Sequence, residues 1–173
     1  MMGRIRRVVL AVLGTAGLGL LSGCGPAITG VMGIAVTEDG KPLAVMLVCD
    51  GQVERVTLHD ADRGPSRKSR LAAWNRGRPA TGFSVWSLES GGRGWSVDKP
   101  MPPLEPGRGY TLHGWTGDPE STTSGVDFTA AQLAGLRPGQ VRWFRGEGMP
   151  GADRGGFATA GVGEFRAEAC GGL

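Results

Sequence analysis

Short β-branched and apolar runs, each ended by glycine or proline, constrain this chain more than any other feature of it. Residues 31–38 (VMGIAVTE) and 42–49 (PLAVMLVC) flank Asp39-Gly40, a pair suited to a two-residue hairpin because glycine accepts positive φ. Residues 52–59 (QVERVTLH) set Val53, Arg55 and Thr57 against Gln52, Glu54, Val56 and Leu58. Residues 81–89 (TGFSVWSLE) place Phe83, Val85 and Ser87 opposite Trp86 and Leu88. Residues 110–115 (YTLHGW) oppose Tyr110, Leu112 and Gly114 to Thr111, His113 and Trp115. Further strands are expected at 95–97, 126–128 and 140–144. At 163–170, Phe165, Ala167 and Ala169 alternate with Glu164, Arg166, Glu168 and Cys170, as in a strand with one wet face. Thr129 is a natural N-cap for a single short helix over 130–136, which Arg137-Pro138-Gly139 stops. Roughly seven to nine short strands with turn signals between them predict an all-β fold, an antiparallel two-sheet sandwich of immunoglobulin-like type.

Residues 62–80 break the pattern. Arg63, Arg67, Lys68, Arg70, Arg76 and Arg78 meet no acid before Glu89, and Gly64, Pro65, Gly77 and Pro79 interrupt the segment. The expectation is a long basic loop with a helical turn near 69–74, solvated rather than pressed on anionic headgroups.

The first 23 residues follow a different plan. Met1 to Arg7 is short and positive, and residues 8–21 carry no charge. As a helix, about 14 residues span roughly 21 Å, short of the roughly 30 Å hydrocarbon core. A basic start, an apolar middle and small residues ahead of a cut site make a cleaved secretory signal helix. Three of the 19 basic residues, Arg4, Arg6 and Arg7, lie in it; without them 16 basic residues meet 16 acidic ones. The basic charge therefore belongs to the signal and does not argue for nucleic-acid binding.

Leu21-Ser22-Gly23-Cys24 resembles the bacterial lipobox, Leu-[Ser/Ala]-[Gly/Ala]-Cys, at every position. The resemblance implies diacylglycerol transfer to the Cys24 thiol and cleavage between Gly23 and Cys24. Two acyl chains on one residue suffice for stable anchoring. The expected organisation is a signal over 1–23, a tether over 24–30 and a single domain over 31–173, held on the outer face of the cell membrane. With its many Arg, Gly and Ala residues, the chain resembles small actinobacterial lipoproteins. Leu136-Arg137-Pro138-Gly139 resembles the loop before the sixth strand of fibronectin type III domains, with Arg142 where that family has a corner Tyr.

With Cys24 acylated, Cys49 and Cys170 remain, either as one disulfide or as two buried thiols. Export to an oxidising compartment favours the disulfide. It would close a loop worth about 4–5 kcal/mol by the chain-entropy argument. The sequence offers no Cys-x-x-Cys and no ligand-spaced partners for His59 or His113, so no metal or cofactor is expected.

His59-Asp60-Ala61-Asp62 is the one cluster that suggests acid/base chemistry. In a continuing strand His59 and Asp60 would point to opposite faces. No nucleophile-elbow, phosphate-loop or Ser-x-x-Lys motif occurs. The tryptophans, Trp74, Trp86, Trp95, Trp115 and Trp143, offer a carbohydrate- or peptide-binding face; of these Trp86 and Trp143 read as core, while Trp74 and Trp95, beside loops, stand between core and that face. The functional expectation is a non-enzymatic binding or scaffolding domain of the cell envelope, with an envelope protein or glycan as ligand. The alternative is a small envelope enzyme with a site near His59 or His113.

Overall fold

The computed structural model describes residues 26–66 and 68–173. Gly23, Cys24 and the segment over 1–23 expected to be a signal lie outside the described residues. The described residues are mostly β, with nine strands among them: β1 (Ala27–Val36), β2 (Pro42–Asp60), β3 (Arg70–Ser87), β4 (Trp95–Lys99), β5 (Gly109–Trp115), β6 (Ser121–Ser124), β7 (Val126–Thr129), β8 (Gln140–Phe144) and β9 (Phe157–Gly161). Two short helices, α1 (Ala130–Ala134) and α2 (Val162–Glu168), complete it with 3-10 turns at Ala61–Arg63 and Ala169–Gly172.

All nine strands belong to one hydrogen-bonded sheet in the order β4-β3-β2-β5-β6-β1-β8-β9, with β7 paired to β5. Because β1 also pairs with β2, the path β1-β2-β5-β6 closes on itself as a small barrel. This differs from the two separate sheets expected of an immunoglobulin-like sandwich. The cause is the length of β2. Its first part pairs with β1 and its second part with β5, while β3 follows it throughout. Between Val48 and Val53 the register slips, and Gly51 there takes φ +68°, a region that favours glycine. The strand bends at this bulge instead of ending.

The basic segment over 62–80 is not a loop. From Arg70 onward it is strand β3, and Ala72, Trp74 and Ala80 are buried in the core. Its prolines and glycines misled because Gly77, Arg78 and Pro79 fall in a register slip between the pairs Arg55↔Asn75 and Val53↔Ala80. A proline is tolerated where the ladder makes no demand on its missing N–H.

Residues 163–170 are not a strand either. They form α2 and the turn after it, with Phe165 and Ala169 buried and Ala167 exposed. Phe165 and Ala169 are four apart, which fits one helical face as well as alternation does, and Ala, Glu and Arg favour helix. The polar residues 118–124 contain β6, and β9 carried no sequence signal strong enough to place it.

The core has two parts. Met32, Ile34, Val36, Met46, Leu58, Trp74 and Trp86 fill the barrel. Val31, Ala35, Val45, Trp143 and Phe165 pack outside it, beneath α2. Strand β1 is thus buried on both faces, which explains its unbroken apolar sequence. Gly33 is required there: a Cβ would come within 2.5 Å of Val141 Cγ1. Cys49, in the bulge of β2, is disulfide-bonded to Cys170 with Cα atoms 5.7 Å apart, tying the bend to the C-terminal turn. Trp74 and Trp95, undecided from sequence, are both core residues, and Trp95 stacks on Trp86 with ring centroids 4.2 Å apart.

The barrel closes at β5–β6 with a single backbone pairing, Trp115↔Thr122. Threonine side chains supply the rest. The Gly114 N–H donates to Thr123 Oγ1 at 2.8 Å, and the Thr122 hydroxyl donates to the Gly114 carbonyl at 2.9 Å. Both threonines are buried. Helix α1 starts with a complete capping box: Thr129 Oγ1 accepts from the Gln132 N–H, and Gln132 Oε1 accepts from the Thr129 N–H.

Candidate functional site

The register of β2 against β5 builds a polar row on one outer face. Arg55 lies opposite Trp115, Thr57 opposite His113, and His59 opposite Thr111. Alternation sends all six side chains to the same side. The turn after β2 folds Pro65 and Ser66 over this row. Together with Arg70 they enclose a cleft of about 240 Å³ lined by Arg55, Thr57, His59 and Trp115. This is smaller than the usual drug-sized pocket of about 300–1,000 Å³, so it suits one ring-sized group.

A chain of hydrogen bonds fixes the floor. The Trp115 indole N–H donates to Thr57 Oγ1 at 2.6 Å, and that hydroxyl lies 2.7 Å from His59 Nε2. Having accepted from the indole, it has its own proton for Nε2. His59 Nδ1–H then donates to Ser69 Oγ at 3.1 Å, and the Ser69 hydroxyl donates to the Gly64 carbonyl. In this ordering His59 is the neutral tautomer with its proton on Nδ1. Burial lowers its pKa below the usual histidine value, a backbone hydrogen bond at Ser66 opposes that, and Arg70 adds to it. His113 shares the Thr122 hydroxyl at 2.6 Å, and its ring centroid is 4.7 Å from that of Trp115. Its pKa is lowered to about 4, chiefly by burial and then by repulsion from His59. Both histidines are uncharged at neutral pH.

His59 and Asp60 part as strand geometry requires. Asp60 turns away from the cleft to accept from Arg108 Nη2 at 2.7 Å, with Arg63 at 3.8 Å. The arginine hydrogen bond holds its carboxyl below the usual carboxylate range. The suggested His59–Asp60 acid/base pair is therefore not formed, and among the described residues no carboxylate lines the cleft. Ser69 touches His59, but the residue is buried, its proton is committed to Gly64 and its oxygen accepts from the Ser66 N–H at 2.9 Å. A nucleophile needs a base oriented by a third group and access to substrate. Here the second ring nitrogen meets Thr57 instead of a carboxylate.

The positive groups at the rim are Arg55 and Arg70. Arg55 Nε donates to Asn75 Oδ1 at 2.9 Å, which engages one of its three nitrogens and holds the guanidinium plane. The Arg70 carbonyl accepts from Lys99 Nζ at 2.6 Å. A half-buried aromatic ring, two guanidinium groups and neutral hydroxyl and imidazole groups make a surface for stacking on a ring and pairing with an anion.

No protein-family model, curated protein or solved structure matches this chain. Of the residues expected from sequence to matter, His59 and His113 are brought to one site and Cys49 is joined to Cys170. Trp115, one of five tryptophans offered for a binding face, lines the cleft, whereas Arg55, Thr57, Ser69 and Arg70 were missed as site residues. The signal was present for some of them. Arg55, Thr57 and His59 alternate in β2 as Thr111, His113 and Trp115 do in β5, and such paired polar rows mark a face that does not join the core. Ser69 and Arg70 had no such signal, because only the folded turn brings them over β2.

Proposed function

We propose that the chain is an exported lipoprotein, tethered through Cys24 to the outer face of the cell membrane, whose folded part is a non-enzymatic binding domain. Its ligand is an acidic glycan of the cell envelope, one ring of which enters the cleft beside Trp115. The single observation that carries this reading is the pairing of the Trp115 ring with Arg55 and Arg70 in a cleft that no carboxylate lines among the described residues. Arginine recognises carboxylate or phosphate oxygens in bidentate fashion, and an aromatic ring accepts the apolar face of a sugar. Support for the tether comes from the basic, apolar and Leu21-Ser22-Gly23-Cys24 segments in succession. We also read the architecture as a two-layer sandwich whose layers share the bent β2–β3 hairpin.

A second reading, a small envelope hydrolase using His59, is favoured by the 3.1 Å contact between His59 and Ser69. The test is binding of the full-length lipidated protein to paired saccharides that differ only in a uronate or phosphate group. The acidic member should bind, Trp115→Ala and Arg70→Gln should each weaken it about tenfold or more, and added salt should weaken it further. Equal binding of neutral and acidic members would sink the reading, and turnover of the bound saccharide would favour the hydrolase.

A further inference from the structure

Four of the five large apolar side chains that stand exposed among the described residues gather in one place: Ile28 (41%), Phe144 (37%), Met149 (49%) and Leu173 (54%). Ile28, Phe144 and Leu173 line a single groove of about 400 Å³ floored by Val31, Trp143 and Ala169. Met149 adjoins it at Gly146, whose Cβ would lie 3.1 Å from Met149 Cγ. Exposed apolar patches of this kind mark contact with a partner or a membrane. The charged side chains lining the groove neutralise one another. Arg145 is ion-paired with Glu168, and also with Glu164 at 3.3 Å. The surface therefore sheds water at lower cost than one bearing free charges.

Chain length identifies what covers it. Ile28 follows Cys24 by four residues, and at roughly 3.5 Å per residue it lies no more than about 14 Å from the cysteine that carries the lipid. The polar headgroup layer is about 5–7 Å thick on each side of the hydrocarbon. A lipid on Cys24 therefore brings Ile28, and the patch it belongs to, within reach of that layer. We propose that this patch is a membrane-contact face: Ile28, Phe144, Met149 and Leu173 enter the interfacial layer of the bilayer that holds the Cys24 lipid, and fix the orientation of the domain. The inference rests on the lipoprotein reading of Cys24. It adds that the domain does not swing freely on its leash but sits on the membrane by one side. Strength of such contact scales with the apolar area buried.

The full-length lipidated protein, in phosphatidylglycerol–phosphatidylethanolamine vesicles doped with a diazirine acyl lipid, tests it. After illumination, label should map to Ile28, Phe144, Met149 and Leu173, with Arg93 and Gln132 at background. The double variant Met149→Ser, Leu173→Ser should lose label on the domain by roughly an order of magnitude while its Cys24 remains acylated. Both changes are at exposed positions, and retained near-ultraviolet circular dichroism would show that the fold is intact. Acylated protein labelled uniformly, or only ahead of Ala27, would overturn the membrane face and leave the anchor standing. An unacylated Cys24, read from the mass of the N-terminal peptide, would overturn the anchor and the face together.

Discussion

The indole nitrogen of Trp115 donates to the hydroxyl of Thr57 at 2.6 Å, across two neighbouring strands. The same oxygen lies 2.7 Å from His59 Nε2, so one buried threonine serves two ring nitrogens. Thr57→Val keeps the volume and removes the hydroxyl. It would leave the half-buried Trp115 donor and the buried His59 acceptor without a partner, at about 1–3 kcal/mol. Urea unfolding should show a lower midpoint with an unchanged slope. An unchanged midpoint would show that the hydrogen-bond chain does not stabilise the site.

Acid should loosen the same region. His59 and His113 have folded-state pKa values below the ordinary histidine value of 6.5, with His113 at about 4. Below pH 6.5 the unfolded chain therefore binds protons that the folded one refuses. The stability due to neutral histidines is fully present above pH 6.5 and is lost as pH falls toward about 4. Asp39, Asp60 and Asp153, whose pKa values are lowered from 3.8, lose their contribution only at still lower pH. Thermal melting should show a clear drop in midpoint between pH 7 and pH 5, reduced in His113→Gln. A flat profile over that interval would contradict the burial of neutral imidazoles.

Phe165 is completely buried between Trp143, at 5.4 Å between ring centroids, and Phe83, at 6.5 Å. It is the main apolar anchor of α2. Phe165→Ala should cost about 3–5 kcal/mol, the range for emptying a phenylalanine site in a packed core. Glu164→Ala, at an exposed position, should cost far less. Comparable losses in chemical denaturation of the two variants would mean that α2 is not packed as described.

The disulfide holds the same tail. Cys49 and Cys170 are 121 residues apart, so Cys170→Ala should destabilise by about 5 kcal/mol on the chain-entropy argument. Combined with Phe165→Ala, the losses should fall short of their sum, because both changes release one C-terminal segment. Strict additivity would show that α2 and the disulfide act independently.

Much of the fold was legible because the strands that carry it alternate cleanly. Tyr110 and Leu112 point to the core and Thr111 and His113 outward, as the sequence of β5 implies. The bend in β2 was not legible. Asp50-Gly51 has the chemistry of a turn, and only pairing with both β1 and β5 makes it a bulge in one continuous strand. Strand β6 was missed because Thr122 and Thr123 hold it by hydroxyl groups, without an apolar alternation to signal it. In α2, Phe165 and Ala169 satisfy two periods at once, and the packing beneath Trp143 chose the helical one. The cleft was half-legible: its histidines stood out, whereas Ser69 and Arg70 arrive from a turn that looked like part of a solvated loop.

The tether on Cys24 is the claim on which the envelope role and the membrane face depend. Intact-mass analysis of the protein purified from the membranes of its native cell tests it most directly. The expected product is a polypeptide that begins at Cys24, heavier than its sequence by a diacylglycerol group. A free Cys24 thiol, or a chain that still carries residues 1–23, would contradict it.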